Sequence, residues 1–193
     1  MSAPLTQGQG QASAWVRRFA SLVPPGEVLD LACGSGRHAR LLAALGHPVL
    51  ALDRDAAALA LAAGSGITTM QFDLEQDGAP WPFAALRFAG IVITNYLHRP
   101  LFEHLAHSLA PDGVLIYETF SLGNEVHGKP SNPAFLLAEG ELLAQAVLHG
   151  WRVLAYEDGY SAQPKPAMLQ RLCAVGPDFP RFKAGLDGDS SQQ

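Results

Sequence analysis

The stretch VLDLACGSGRHAR, residues 28–40, decides the fold class of this chain of 193 residues. It starts as an apolar run that ends in an acid, passes through a glycine-rich turn and continues as a helical pattern. Gly34 and Gly36 allow unusual backbone angles and a close backbone approach. A helix that begins near Arg37 presents unpaired N–H groups to a polar ligand. The stretch therefore predicts a strand, a loop and a helix that together cradle a nucleotide.

Apolar runs of strand length alternate with helical patterns along most of the chain, which is typical of a parallel sheet with crossover helices. Residues 157–168 contain Gly159 and two prolines and can form only a loop, so the strands on either side should form an antiparallel hairpin. The predicted strands are residues 28–31, 49–53, 67–72, 91–95, 114–119, 151–156 and 169–175. The predicted helices are residues 37–45, 54–63 and 139–149, one from Pro100 to before Pro111, and one after an N-cap at Ser13.

The composition describes a single compact domain. Hydrophobic residues make up 48% and charged residues 16% of the chain, whereas disordered chains are poorer in apolar residues and richer in charge. We expect a domain of residues 13–176, with a flexible N-terminus of residues 1–12 and a flexible C-terminal tail of residues 177–193.

The net charge and the two cysteines indicate which kinds of partner and site to expect. A formal net charge of -5 gives no global basic field, so a small-molecule partner is favoured over nucleic acid. The sequence shows neither a secretion signal nor an apolar run long enough to span a membrane. Cys33 and Cys173 make no metal-ligand spacing, so neither a disulfide framework nor a metal is expected. A cytoplasmic protein fits these features.

Two carboxylates at predicted strand ends bear on the choice of ligand. The pattern Gly34-x-Gly36-x-x-Ala39 also satisfies the dinucleotide fingerprint of dehydrogenases. Asp30, just before the loop, would repel a pyrophosphate and attract an amino group or a sulfonium. Asp53 ends the second strand, 19 residues after Gly34, where a carboxylate can accept both ribose hydroxyls. An adenosine that carries a cationic methionyl group is therefore favoured.

The series Asp30-Leu31-Ala32-Cys33-Gly34-Ser35-Gly36, Asp53 and Phe72-Asp73-Leu74 resembles the motifs of class I S-adenosylmethionine (SAM)-dependent methyltransferases. The resemblance covers about residues 13–176, and residues 33–55 are similar to small bacterial methyltransferases of the tellurite-resistance type. The family implies an α/β fold, a doubly wound Rossmann-like sheet of seven strands in the order 3-2-1-4-5-7-6. It also implies that strand 7 is antiparallel and that helices cover both faces of the sheet.

The resemblance implies SAM as the cofactor and gives roles to individual residues. Asp30 and Gly34 would face the methionyl group, and Asp53 would bind the ribose. Asp73 and Leu74 would contact the adenine. The full set of expected cofactor-binding residues is Asp30, Ala32, Gly34, Gly36, Arg37, Asp53, Arg54, Asp73, Leu74 and Asn95.

The end of the fourth predicted strand would flank the transferable methyl group, through Asn95, Tyr96 and Leu97. Ala32 departs from the family pattern, which often has a glycine at this position, and its methyl group would narrow the space beside the methionyl chain.

The expected mechanism is direct displacement, for which the protein positions the reactants and excludes water. The candidate catalytic residues are Tyr96, His98 and His127, and Glu118 is a further candidate base. Residues 119–137 are longer than an ordinary connection, and we expect them to form a flap over the methyl group. Lys129 in this flap favours an anionic acceptor.

Two other functions stay open at this point. One is a nicotinamide-dependent oxidoreductase, which the glycine pattern favours but Asp30 and the terminal hairpin do not. The other is a non-catalytic module that binds SAM or adenosine, which would not need the long connection after the fifth strand. The sequence does not identify the methyl acceptor or the oligomeric state.

Overall fold

Seven strands form one sheet in the computed structural model, which describes residues 10–76, 78 and 80–183. They are β1 (Val28–Leu31), β2 (Val49–Asp53), β3 (Ile67–Gln71), β4 (Phe88–Thr94), β5 (Leu109–Phe120), β6 (Arg152–Ser161) and β7 (Ala167–Val175). Their order is β3-β2-β1-β4-β5-β7-β6. Neighbours among β1 to β5 are parallel, and β7 is antiparallel to both β5 and β6. The expected fold class, strand order and hairpin are confirmed.

Five α-helices accompany these strands in the described part of the chain: α1 (Ala14–Phe19), α2 (Arg37–Ala44), α3 (Ala56–Ala62), α4 (Leu101–Ser108) and α5 (Glu141–Leu148). Short 3₁₀ helices occupy Ala20–Leu22, Asn124–Val126, Pro133–Phe135 and Arg181–Lys183. Ser13 caps α1 as expected, because its hydroxyl accepts a hydrogen bond from the Val16 N–H at 3.0 Å. No helix of the described residues is both long enough and apolar enough to cross a membrane.

The helices cover both faces of the sheet and bury its central strands completely. Leu29 and Leu31 point to one face and pack with Phe102 of α4. Val28 points to the other face and packs with Leu42 of α2. Such burial on both faces is typical of a parallel sheet with crossover helices. The carboxyl ends of β1 to β5 consequently lie along one edge of the sheet.

Two strands are longer than the sequence predicts. β5 begins at Leu109, because Leu109 pairs with Phe88 before the register shifts at Gly90 and Val114. Residues 111–113, which follow the predicted helix from Pro100, therefore belong to this strand. β6 continues to Ser161, which pairs with Ala167. The hairpin loop is thus limited to residues 162–166, and residues 157–161 are strand rather than loop.

The chain beyond β7 remains packed against the domain. Phe179 is buried in the core, and the Asp178 N–H donates to the Pro111 carbonyl at 2.9 Å. Packing therefore extends past residue 176, where we expected a flexible tail to begin, because an aromatic side chain can be buried there. Residues 1–9 of the expected flexible N-terminus and residues 184–193 of the expected tail lie outside the described residues.

Candidate functional site

The carboxyl ends of β1 to β5 and the segment after β5 enclose a cavity of about 400 Å³. This volume is in the usual range for a small-molecule site. Parallel α/β sheets place their ligands at this edge. The cavity is lined by Ala32, Asp53, Arg54, Phe72, Asp73, Leu74, Glu75, Asn95, Tyr96, Leu97, Thr119, Phe120, Pro130 and Phe135.

Asp53 ends β2 and lines the cavity with a carboxylate whose position is fixed by the backbone. The Gly34 N–H donates to Oδ2 at 2.8 Å, and the Asp55 N–H donates to Oδ1 at 2.9 Å. A carboxylate oxygen has two lone pairs, so each keeps acceptor capacity for a ligand. The glycine-rich loop therefore holds Asp53 in a geometry that suits a pair of vicinal hydroxyls.

Asp30 is placed differently from our expectation. Its side chain is only 1% exposed, and Oδ2 accepts a hydrogen bond from the Ala39 N–H at 2.8 Å. Burial raises the pKa of its carboxyl to about 7, against the opposing effects of this hydrogen bond and of Arg37. Asp30 does not line the cavity, because its side chain is directed under α2. Its carboxylate accepts a hydrogen bond from the start of that helix, and the expected contact with the methionyl group stays a prediction.

The backbone of the glycine-rich loop is left-handed at three positions. The φ angles are 52° at Ala32, 53° at Gly34 and 76° at Gly36. This conformation suits glycine, which explains why the departure at Ala32 matters: an L-residue there carries a strain of about 1 kcal/mol. Ala32 lines the cavity, as expected, whereas Gly34 and Gly36 do not.

Gly36 allows two helices to pack closely. A Cβ on Gly36 would lie 2.6 Å from the Cβ of Ala62 in α3. A Cβ on Gly34, by contrast, would meet no atom within 4 Å. The role of Gly36 is therefore the packing of α2 against α3. Arg37, the first residue of α2, also lies outside the cavity lining.

Tyr96 lines the cavity just after β4. It is half-buried, and Glu75 is the charged group that acts most strongly on its hydroxyl. Burial, with a contribution from the negative charge of Glu75, holds the pKa of this phenol well above its ordinary value. The Tyr117 hydroxyl donates to the Tyr96 carbonyl at 2.9 Å, which fixes the backbone here. Tyr96 is therefore a neutral hydrogen-bonding group and not a base at physiological pH.

The other candidate catalytic residues do not line this cavity. His98 lines an adjoining, smaller cavity of about 260 Å³ next to α4, together with His104, and the two cavities share Phe72, Leu74 and Glu75. His127 is exposed, with its ring 5.3 Å from that of Tyr160. Glu118, the further candidate base, accepts a hydrogen bond from Arg171 Nε at 2.6 Å and is neutralised by it. Tyr96 is thus the one member of the expected catalytic set that lines the main cavity.

The segment after β5, residues 121–136, is anchored at both ends and contributes Pro130 and Phe135 to the cavity. Near its start, the buried Asn124 donates from Nδ2 to the Pro130 carbonyl at 2.9 Å, and its Oδ1 accepts from the Met168 N–H at 3.2 Å. Near its end, Arg99 donates to the carbonyls of residues 134 and 136. We refer to residues 121–136 as the flap.

Sequence reasoning missed several residues of the cavity wall. Glu75 was not expected there, and Thr119 and Pro130 were expected only as part of the segment 119–137 and not as individual lining residues. Thr119 ends the fifth predicted strand, and its position at the carboxyl edge of the sheet was a usable signal. Pro130 gave no such signal, because its place depends on the hydrogen bond from Asn124.

Comparison with known proteins agrees with this geometry. Residues 5–172 match a family model described as a methyltransferase domain, and the chain therefore belongs to that family. No curated protein sequence matches the chain. The family membership confirms the expected methyltransferase resemblance and leaves the oxidoreductase alternative without support.

Solved structures of methyltransferases share the fold. TehB from Haemophilus influenzae is 20% identical, with a TM-score of 0.66 over 83% of this chain and 61% of that chain. This chain thus spans less than two thirds of the TehB structure. An S-adenosylmethionine dependent methyltransferase from Mesorhizobium loti is 19% identical, with a TM-score of 0.64 over 84% of this chain and 98% of that chain. A putative methyltransferase from Haloferax volcanii, in complex with the Trm112 methyltransferase activator, is 15% identical, with a TM-score of 0.66 over 84% of this chain and 89% of that chain.

Proposed function

We propose that this protein transfers the methyl group of SAM to a small molecule bound in the same cavity. The observation that carries the proposal is the carboxylate of Asp53. It lines the cavity at the end of β2, held by the Gly34 and Asp55 N–H groups with lone pairs left for two hydroxyls. In a chain of the methyltransferase family, this geometry fits the ribose of the cofactor.

The residues after β3 fit the adenine. Phe72 and Leu74 give the cavity apolar walls for a flat ring. Asp73 accepts a hydrogen bond from the Glu75 N–H through Oδ1 at 3.0 Å, and its second oxygen can accept from an exocyclic amino group. Asp73 thus both caps a turn and lines the cavity.

The residues after β4 fit the reacting end. Bound SAM supplies an electrophilic methyl group, so the protein has to position the acceptor and exclude water. Asn95, Tyr96 and Leu97 lie between the charged ends of β2 and β3 and the flap. The phenol of Tyr96 keeps its proton and serves to position a partner. We expect the reaction to take place in the cytoplasm, because both cysteines are free thiols.

Titration calorimetry tests whether the protein binds SAM through Asp53. Asp53→Ala removes an acceptor of hydrogen bonds worth about 1.5 to 3 kcal/mol each, so SAM affinity should fall at least roughly tenfold. Asp112→Ala is a matched control, because Asp112 is an exposed acid at the amino end of the parallel part of β5. Unchanged SAM affinity in a folded Asp53→Ala protein, or binding of NAD in preference to SAM, contradicts the proposal.

The alternative of a non-catalytic binding module is tested separately. A screen of small molecules with methyl-labelled SAM should identify at least one labelled product. Asp53→Ala should reduce its formation in parallel with SAM affinity. A protein that binds SAM but forms neither S-adenosylhomocysteine (SAH) nor a methylated product with any acceptor is a binding module.

A further inference from the structure

Charge is distributed unevenly along the cavity. The strand order places the ends of β2 and β3 at one side and the end of β5, with the flap, at the other. The charged side chains of the lining all follow β2 or β3; they are Asp53, Arg54, Asp73 and Glu75. The opposite half, which we call the acceptor half, is lined by Leu97, Thr119, Phe120, Pro130 and Phe135. None of these five side chains can carry a charge.

Cations close to the acceptor half in the fold are engaged elsewhere. Arg99 forms a two-point ion pair with Glu141, with N–O distances of 2.7 and 2.9 Å. Arg171 pairs with Glu118 at 2.6 Å and with Glu157 at 2.9 Å. Lys129, which the sequence suggested as a contact for an anion, is exposed and does not line the cavity. An anionic acceptor would therefore lose its hydration in this half without gaining a cation.

Among the described residues, the acceptor half also lacks side chains that could remove a proton. Its five lining side chains include no carboxylate and no imidazole. At the centre of the cavity, Tyr96 holds its proton. A nucleophile that ionises without help is thus required, and a thiol, with an ordinary pKa of about 8.5, meets this condition where an alcohol does not.

We infer that the methyl acceptor is a small molecule with an uncharged, apolar body and a thiol as its nucleophile. This inference rests on the proposed function. Phe120 and Phe135 would pack against that body, since aromatic side chains contribute large apolar contacts. An acceptor with an anionic body, which Lys129 favoured in the sequence, does not match this half of the cavity.

The proton and the electrons balance without a further reactant. The thiol releases its proton to solvent, and the resulting thiolate, whose charge is balanced by the adjacent sulfonium of SAM, donates an electron pair to the methyl carbon. The bond between that carbon and the sulfonium sulfur breaks, and its electron pair stays on the sulfur of SAH. The products are a methyl thioether and SAH.

A matched pair of probes tests the inference: 4-methylbenzenethiol and 4-mercaptobenzoate carry the same nucleophile but differ by a carboxylate. Binding to SAH-saturated protein is measured by titration calorimetry, and methylation with SAM by mass spectrometry. The probe without the carboxylate should bind at least about tenfold more tightly, because a carboxylate is costly to bury unpaired. It should also be methylated.

Two arginine variants locate the site. Phe135→Arg should reverse the preference within the pair, because it places a cation in the acceptor half. Val126→Arg is the matched control on the same flap, since Val126 is 78% exposed and does not line the cavity. It should leave the preference unchanged.

The results that would contradict the inference differ from those that would contradict the proposed function. Equal or tighter binding of 4-mercaptobenzoate, or no binding of either probe to protein that binds SAH, overturns the inference and leaves the proposed function in place. Methylation of 4-methylphenol but not of 4-methylbenzenethiol overturns the choice of a thiol. A protein that does not bind SAH overturns the proposed function, and the inference falls with it.

Discussion

Replacing Gly36 by alanine should destabilise the protein far more than the same change at Gly34. Both glycines have left-handed backbone angles, with φ of 76° and 53°, so each alanine costs about 1 to 2 kcal/mol of conformational strain. A smaller gain of about 0.4 to 1 kcal/mol arises in both because alanine restricts the unfolded chain. These two effects are nearly the same at the two positions.

The surroundings of the new Cβ differ between them. At Gly36 it would lie 2.6 Å from the Cβ and 2.8 Å from the Cα of Ala62, which belongs to α3. Helices α2 and α3 would have to separate, and overpacking of this kind costs about 1 to 3 kcal/mol. At Gly34 the Cβ meets nothing within 4 Å. We therefore expect a loss of about 3 kcal/mol for Gly36→Ala and about 1 kcal/mol for Gly34→Ala.

Urea unfolding followed by circular dichroism measures both losses. The double variant Gly36→Ala with Ala62→Gly should recover part of the loss, because it removes the methyl group of residue 62 but leaves the backbone of α3 close to the new side chain. Equal losses for the two single variants, or no recovery in the double variant, would refute the close packing of α2 against α3 as the reason for a glycine at position 36.

Three further predictions concern groups buried near the cavity. Burial raises the pKa of the Asp30 carboxyl to about 7. Because the unfolded chain loses this proton at a lower pH, the free energy of unfolding of wild type should fall from pH 4 to pH 7. Measured by urea unfolding, the stability of Asp30→Asn relative to wild type should therefore rise over this window by up to about 4 kcal/mol. Burial lowers the pKa of His38 to about 3, so wild type should lose stability as the pH falls below about 6.5, and His38→Gln should lose less over that range. Asn124→Ala should release Pro130 from its hydrogen bond, raising the KM for the acceptor while SAM affinity stays within about threefold.

Each of these has a control and a contrary outcome. A flat difference between Asp30→Asn and wild type from pH 4 to pH 8 would show that the carboxyl titrates normally. For His38, whose Nε2 accepts from the Ser13 N–H at 3.2 Å, an unchanged acid profile in the variant would assign the pH dependence to other groups. Ser131→Ala serves as the control for Asn124, because Ser131 is exposed on the same flap and does not line the cavity; equal effects on KM would contradict the positioning role.

The sequence predicted the fold and several residues that line the cavity, because both depend on local signals. Asp53, Asp73 and Asn95 each follow a strand of a parallel sheet, and the carboxyl ends of such strands meet at one edge. The direction of a side chain was harder to predict. Asp30 also lies at a strand end, but its burial depends on α2, which covers that face of the sheet.

The acceptor half depends on contacts between distant parts of the chain, which no local pattern reports. The flap is positioned by the bond between Asn124 and Met168, 44 residues apart. His127 lies next to this bond and the adjoining 3₁₀ helix, and its side chain is exposed and outside the cavity lining. The presence of a histidine in a long loop did not by itself predict a place in the cavity. The length of β5 was missed for a similar reason, since Pro111-Asp112-Gly113 is typical of a turn and only the pairing with β4 shows a strand.

The separation of charge along the cavity is also a separation along the chain. Every charged lining residue lies at or before position 75, and every residue from position 95 onward in the lining is uncharged. Under the proposed function, the charged contacts to the cofactor and the uncharged contacts to the acceptor come from consecutive segments of the gene. Substitutions in the later segment would then change which molecule is methylated while the earlier segment stays intact. In the laboratory, chimaeras joined between residues 75 and 88 would exchange acceptor preference as a block.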